Sequence, residues 1–153
     1  MSKFRAGVLY GQELNDLYAD AKSVGYALPG VNAIGTSSVN GILETAARVN
    51  SPVIVQLSFG GGPFYAGKSL KNDNLQASAL GCISAARHVH ELAEMYGVPV
   101  VLHTDHCSLT NIAWVDQLIE YQEGFYERFG KPLFSSHMLD LSEEPLEKNI
   151  EIC

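Results

Sequence analysis

Four short apolar runs set apart by helix-like stretches constrain this chain more than any other feature. They are Ala27-Leu28-Pro29-Gly30-Val31-Asn32, Pro52-Val53-Ile54-Val55-Gln56-Leu57-Ser58, Val98-Pro99-Val100-Val101-Leu102-His103 and Pro132-Leu133-Phe134-Ser135-Ser136-His137-Met138. Pro52, Pro99 and Pro132 lie at or beside run starts, where a missing N–H is tolerated, so each run reads as a buried strand. Continuous apolar residues, in place of strict alternation, predict parallel strands covered on both faces. Between the runs, Leu14, Leu17, Tyr18 and Ala21 predict a helix over 12–22, and Val39, Ile42, Leu43, Ala46 and Ala47 one over 39–49. A long helix is expected over 75–96, stopped at Gly97, and another over 109–129, with Gly124 as a possible break and Gly130 as its end. A last helix is expected from Ser142, with the hydroxyl as cap and Glu143 and Glu144 in its first turn.

This alternation is the pattern of right-handed βαβ units that build a parallel α/β sheet. A (β/α) barrel and a doubly wound sheet both fit it. An eight-stranded barrel takes roughly 250 residues, so the 153 present, with about four βα units, would make half of one.

Ten Lys and Arg against 17 Asp and Glu leave a net charge of −7, which excludes a polybasic binder of nucleic acid or of a membrane surface. No apolar run approaches the ~20 residues of a membrane-spanning helix, and no export signal opens the chain. Cys82, Cys107 and Cys153 are odd in number and lack CxxC spacing, which fits neither a disulfide framework nor a structural zinc site. A soluble protein in a reducing, cytoplasmic setting is expected.

In parallel α/β folds the ligand site lies beyond the carboxyl ends of the strands, and all four runs stop there on polar groups. The first ends in Asn32, the second in Ser58 before Phe59 and Gly60-Gly61-Gly62, the third in His103-Thr104-Asp105-His106-Cys107 and the fourth in Asp140. An imidazole beside a carboxylate places a metal ligand next to a proton donor or acceptor. The same pentapeptide also fits a hydrogen-bonded pair that merely ends a strand. Cys107 is either a soft ligand or the commoner buried, inert thiol. The three glycines match no phosphate-binding motif and read as a flexible loop. His88 and His90, two apart on a helix, face different ways and read as surface or packing residues. His137, inside the fourth run, reads as a core histidine.

The ordered series Ala27 to Asn32, Pro52 to Gln56, Ala66-Gly67-Lys68, Tyr96 to Cys107 and Gly130 to Glu144 resembles the N-terminal half of class II, metal-dependent fructose-bisphosphate aldolases. The likeness runs from near Met1 to Cys153. It implies that residues 1–153 are the N-terminal portion of a single (β/α)₈ TIM-barrel domain, part of a homodimer when full length, with a sugar bisphosphate as substrate and neither nucleic acid nor membrane as partner. It further implies a zinc enzyme that reversibly cleaves fructose 1,6-bisphosphate into dihydroxyacetone phosphate and glyceraldehyde 3-phosphate, a step of glycolysis and gluconeogenesis. By position, His106 would be one of three histidine ligands of the zinc and Asp140 would help form a second metal position. Asp105 would exchange a proton with the substrate's C4 hydroxyl, Ser58 would contact substrate, and Asn32 would lie in the same pocket.

Two departures stand out. Ser108-Leu109-Thr110-Asn111-Ile112-Ala113 replaces the basic pair and proline usual in the family, and Phe59 replaces an asparagine. The other two zinc histidines, the enolisation base and most phosphate contacts have no counterpart, so the resemblance implies that these residues alone are inactive. The alternative is a non-catalytic half-barrel interaction or assembly module.

Overall fold

The computed structural model describes residues 3–153; Met1 and Ser2, which open the expected domain, lie outside the described residues. In chain order the elements are β1 (Gly7–Val8), α1 (Gly11–Val24), β2 (Gly30–Asn32), α2 (Thr36–Val49), β3 (Val53–Ser58), α3 (Gly62–Ala66), α4 (Gln76–Ala93), β4 (Pro99–Cys107), α5 (Ile112–Phe129), β5 (Ser136–Leu139) and α6 (Leu146–Ile152). All strand pairs are parallel. β2, β3, β4 and β5 lie side by side in sequence order, with β1 on the start of β4. A doubly wound sheet would reverse that order partway. The unbroken order, with α4 packed between α2 and α5, is the winding of a barrel.

The strands alternate more than their composition suggests. Val53, Val55 and Leu57 of β3, and Val100 and Leu102 of β4, join the main core under the helices. Ile54 and Val101 point the other way, where Leu9, Leu14 and Leu17 cover them. The inner face is therefore apolar only at the level of α1, and polar above it. β2, expected to be buried, is an exposed edge strand. β1 gave no sequence signal because two residues show no period; it is held by Gly7 N–H to Val98 O and Leu9 N–H to Val100 O, both 2.9 Å.

Helix ends follow local chemistry. α4 stops at Ala93, and Gly97, at φ 69°, completes the turn into β4. Gly124 does not interrupt α5, whereas Gly130 ends it as expected, in the left-handed region with its N–H on Tyr126 O. The last helix starts at Leu146, not at Ser142. Glu144 N–H closes a turn on Leu141 O, and a residue before proline is biased away from helical geometry, so the helix cannot begin until Pro145 is passed.

Gly60-Gly61-Gly62 is not a free loop. Gly62 is buried and opens α3, where a Cβ on Gly81 of α4 would overlap the Gly62 carbonyl and one on Gly62 would overlap Ser78 backbone. The two helices cross at glycine because nothing larger fits. Alanine gains ~1 kcal/mol of helix propensity over glycine, but here it forces backbones apart, so Gly81→Ala is expected to destabilise by about 1–3 kcal/mol. Gly124→Ala, with open space around its Cβ, should instead stabilise by ~0.5–1 kcal/mol. Urea unfolding of both variants checks the opposite signs.

Candidate functional site

β4 brings its polar end to the rim through a local fault in the ladder. Val101, His103 and Asp105 share one face by the strand period of two, and Gln56 and Ser58 lie opposite His103 and Asp105 in register. An unbroken strand would turn His106 to the helix side. Instead the β4–β5 register shifts between Thr104 and Cys107, and His106 adopts φ 41°. A non-glycine residue held there costs ~1–3 kcal/mol. The bulge re-aims the imidazole, so adjacent residues meet: His106 Nε2 lies 3.6 Å from Asp105 Oδ1.

Asp105 is held from β3, which pairs with β4, and from β2 on the far side of β3. Asn32 Nδ2 donates to its Oδ2 at 2.9 Å and Gln56 Nε2 to its Oδ1 at 2.8 Å. His106 is held from the residue that follows β5: its Nδ1 lies 2.8 Å from Asp140 Oδ2, and a carboxylate there accepts the N–H. Ser142 Oγ in turn donates to Asp140 Oδ1 at 2.7 Å. The Ser142 bonds, followed by the His106 bond, press the Asp140 carboxyl down to about 2, and the Asp140 bond, followed by the Asp105 charge, raises His106. Ser58 Oγ accepts from Gly61 N–H at 3.1 Å.

Asn32, Asp105, His106 and Asp140 are thus joined by hydrogen bonds or close charge contact, and Ser58 sits beside them by register. Sequence reading missed Gln56 and gave Ser142 a different task. Gln56 had a usable signal: a lone amide in an apolar run, two before Ser58 and so on the same face. Asp140, expected at a second metal position, has both oxygens engaged and orients the imidazole, an arrangement common behind metal-bound histidine. It leaves Nε2 of His106 as the ring atom available to a metal, against which protons compete. Among the described residues no three His, Cys, Asp or Glu side chains are placed to hold a metal ion. The residues present therefore fit one ligand of a zinc site and its supporting carboxylate, not a complete cage.

The remaining candidates are structural. Cys107 is fully buried and burial raises its thiol. His88 Nε2 meets Asn40 Oδ1, and His90 Nε2 meets Leu133 O, each at 2.9 Å. His137 Nδ1 lies 2.9 Å from Thr104 Oγ1, and its Nε2 is buried without a partner. Burial, then the neighbouring His103, lowers His137 to about 4. The unfolded chain takes up this proton near 6.5, so the contribution is complete above that pH and is lost as pH falls towards 4. The difference corresponds to at most about 3 kcal/mol. Urea unfolding across this window should show stability lost as pH falls from 6.5 towards 4, and His137→Gln should flatten that slope.

The Fructose-bisphosphate aldolase class-II family model matches residues 12–153. The chain is 54% identical to the fructose-bisphosphate aldolase of Borreliella burgdorferi over 153 residues, covering 99% of this chain and 43% of that protein. It is 54% identical to the class 2 fructose-bisphosphate aldolase of Escherichia coli K12 over 150 residues, covering 97% and 42%. The crystal structure of fructose-bisphosphate aldolase from Campylobacter jejuni superposes with a TM-score of 0.92 at 53% identity, again over 97% of this chain and 42% of that one. Strand order, half-barrel extent and family match agree: the chain belongs to the class II fructose-bisphosphate aldolase family and spans less than half the length of these relatives.

Proposed function

We propose that this chain supplies the N-terminal half of a zinc-dependent fructose-bisphosphate aldolase site. Asp105 takes the proton from the C4 hydroxyl of the open-chain substrate as the C3–C4 bond breaks, which leaves the C4 fragment as an aldehyde. Asn32 and Gln56 hold the carboxylate for that transfer, and such positioned proton transfer contributes ~10²–10⁴-fold. His106 offers Nε2 to the metal while Asp140, braced by Ser142, fixes the ring. Zinc, when bound, supplies Lewis-acid stabilisation of negative charge developing at the substrate carbonyl. Ser58 and Asn32 line the substrate side, and the full-length protein acts in the cytoplasm as a homodimer.

The observation that carries this reading is the pairing of Asp105 and His106 on one rim, 3.6 Å apart, with Asp105 braced by Asn32 and Gln56 and His106 by Asp140. The residues at hand provide one imidazole where a catalytic zinc needs three protein ligands. Purified chain with added zinc is therefore expected to show no cleavage of fructose 1,6-bisphosphate above a protein-free blank. Joined to the C-terminal part of the E. coli relative in place of that enzyme's own N-terminal half, it is expected to give zinc-dependent cleavage. A folded but inactive chimera would favour the non-catalytic module, and turnover by the isolated chain would overturn the division of the site.

A further inference from the structure

Beneath Ser58 lies a set of contacts that the proton transfer and the metal ligand do not use. Cys82 of α4 is 1% exposed, and its thiol donates to the Ser58 carbonyl oxygen across 3.6 Å. A thiol is a weak donor on a short side chain, so it reaches this carbonyl only where α4 comes close to the end of β3. The close approach is made by its neighbour. A Cβ on Gly81 would overlap the Gly62 carbonyl, and the same crossing of α3 on α4 brings Cys82 under the rim.

Behind the sulfur stands Trp114 of α5. Its side chain is fully buried and its Nε1 has no hydrogen-bond partner of its own, while its N–H bears on the Cys82 sulfur. An indole N–H can only donate, so it faces the sulfur lone pairs and leaves the S–H to point at Ser58. Burial pushes the thiol up to about 12, which keeps the donated proton on sulfur. On the rim side, Gly61 N–H is shared between the Ser58 carbonyl oxygen and Oγ, each at 3.1 Å. With that donor on its lone pair, Oγ keeps its own proton, for which the described residues provide no acceptor. The Ser58 hydroxyl is thereby left as a donor for an oxygen of the substrate.

We propose that Cys82 is a positioning residue for substrate binding: its S–H, directed by Trp114, pins the Ser58 carbonyl and so holds the Gly61 amide between both Ser58 oxygens and the Ser58 hydroxyl in its donating orientation. Cys82 itself touches no substrate. The proposal rests on the reading that Ser58 contacts substrate, and it assigns the support for that contact to α4 and α5, the helices packed behind the strand.

A double-mutant cycle in the chimera tests it. Cys82→Ala is expected to raise KM for fructose 1,6-bisphosphate about 3–10-fold, the size of one ordinary hydrogen bond lost, with kcat changed by less than a factor of about 2, since binding and not the chemical step is affected. Ser58→Ala should raise KM by more. Cys82→Ala added to Ser58→Ala should raise it no further, because the hydroxyl that Cys82 positions is gone. A cavity left under the rim would act with or without that hydroxyl, and the two effects would add. The infrared S–H stretch of Cys82, taken as the difference between the parent chimera and either Cys82→Ala or Cys82→Ser, should lie below that of a free thiol. Absent turnover in the parent, or a KM indifferent to Ser58→Ala, would remove the substrate contact and the inference with it. A KM that responds to Ser58→Ala but not to Cys82→Ala, additive effects of the pair, or a free-thiol S–H band would overturn the inference alone and leave the aldolase reading standing.

Discussion

In the chimera that joins this chain to a relative's C-terminal half, Asp105→Ala is expected to lower kcat for fructose 1,6-bisphosphate cleavage by about 10²–10⁴-fold. The size follows from the role. A positioned carboxylate lowers the barrel's transition-state energy only where it meets the moving proton, so its loss should fall on kcat more than on KM. The substitution is clean for the fold: the Asp105 side chain lies on the polar inner face, 14% exposed, and takes no part in either apolar cluster. Asp105→Asn is a poorer control, because both oxygens accept amide donors from Asn32 and Gln56 and an asparagine would turn a donor towards one of them. Steady-state cleavage measured beside far-UV circular dichroism decides the matter. Near-parental turnover in a folded variant would remove Asp105 from the mechanism.

The largest loss of stability is expected at Trp114. Its side chain is fully buried and packs edge-on to Phe59, with ring centroids 5.7 Å apart and planes at 79°. Truncation of a buried aromatic to alanine costs ~3–5 kcal/mol, against a total of ~5–15 kcal/mol for a typical domain, so Trp114→Ala should lose a large share of the native stability. Phe59→Ala should cost less, since Phe59 is only partly buried against the core. A double-mutant cycle should show coupling of ~0.5–1.5 kcal/mol between the two rings. Denaturant midpoints measure all three; full additivity would mean that the ring contact contributes nothing. This pairing also gives a reason for one departure from the family pattern. Phe59, found where an asparagine is common, turns its ring onto Trp114 under the rim and does not enter the cluster around Asp105. The altered segment that leads into α5 is accommodated as a short 3₁₀ turn over Leu109–Asn111.

The strand–helix alternation was legible because each apolar run is long enough to show burial and is closed by a proline, a glycine or a polar end. The strand ends Asn32, Ser58, Asp105, His106 and Asp140 were legible for the same reason, as polar groups where apolar runs stop. Gln56 and Ser142 were missed. Gln56 carried a signal, its place two before Ser58, but the partner that gives it a role lies 49 residues away in sequence, and Ser142, two residues from Asp140, fitted the local pattern of a helix cap.

What the order of residues determined by itself is the set of parallel strands, their intervening helices and the polar character of one rim, since periodicity and local turn chemistry act over a few residues. Barrel winding over double winding, the edge position of β2, and the meeting of Asp105 with His106 were decided only in three dimensions. Strand order is a matter of which surfaces bury each other. The bulge that turns His106 through φ 41° exists because β5 pairs with β4 out of simple register, an interaction that no stretch of neighbouring residues encodes.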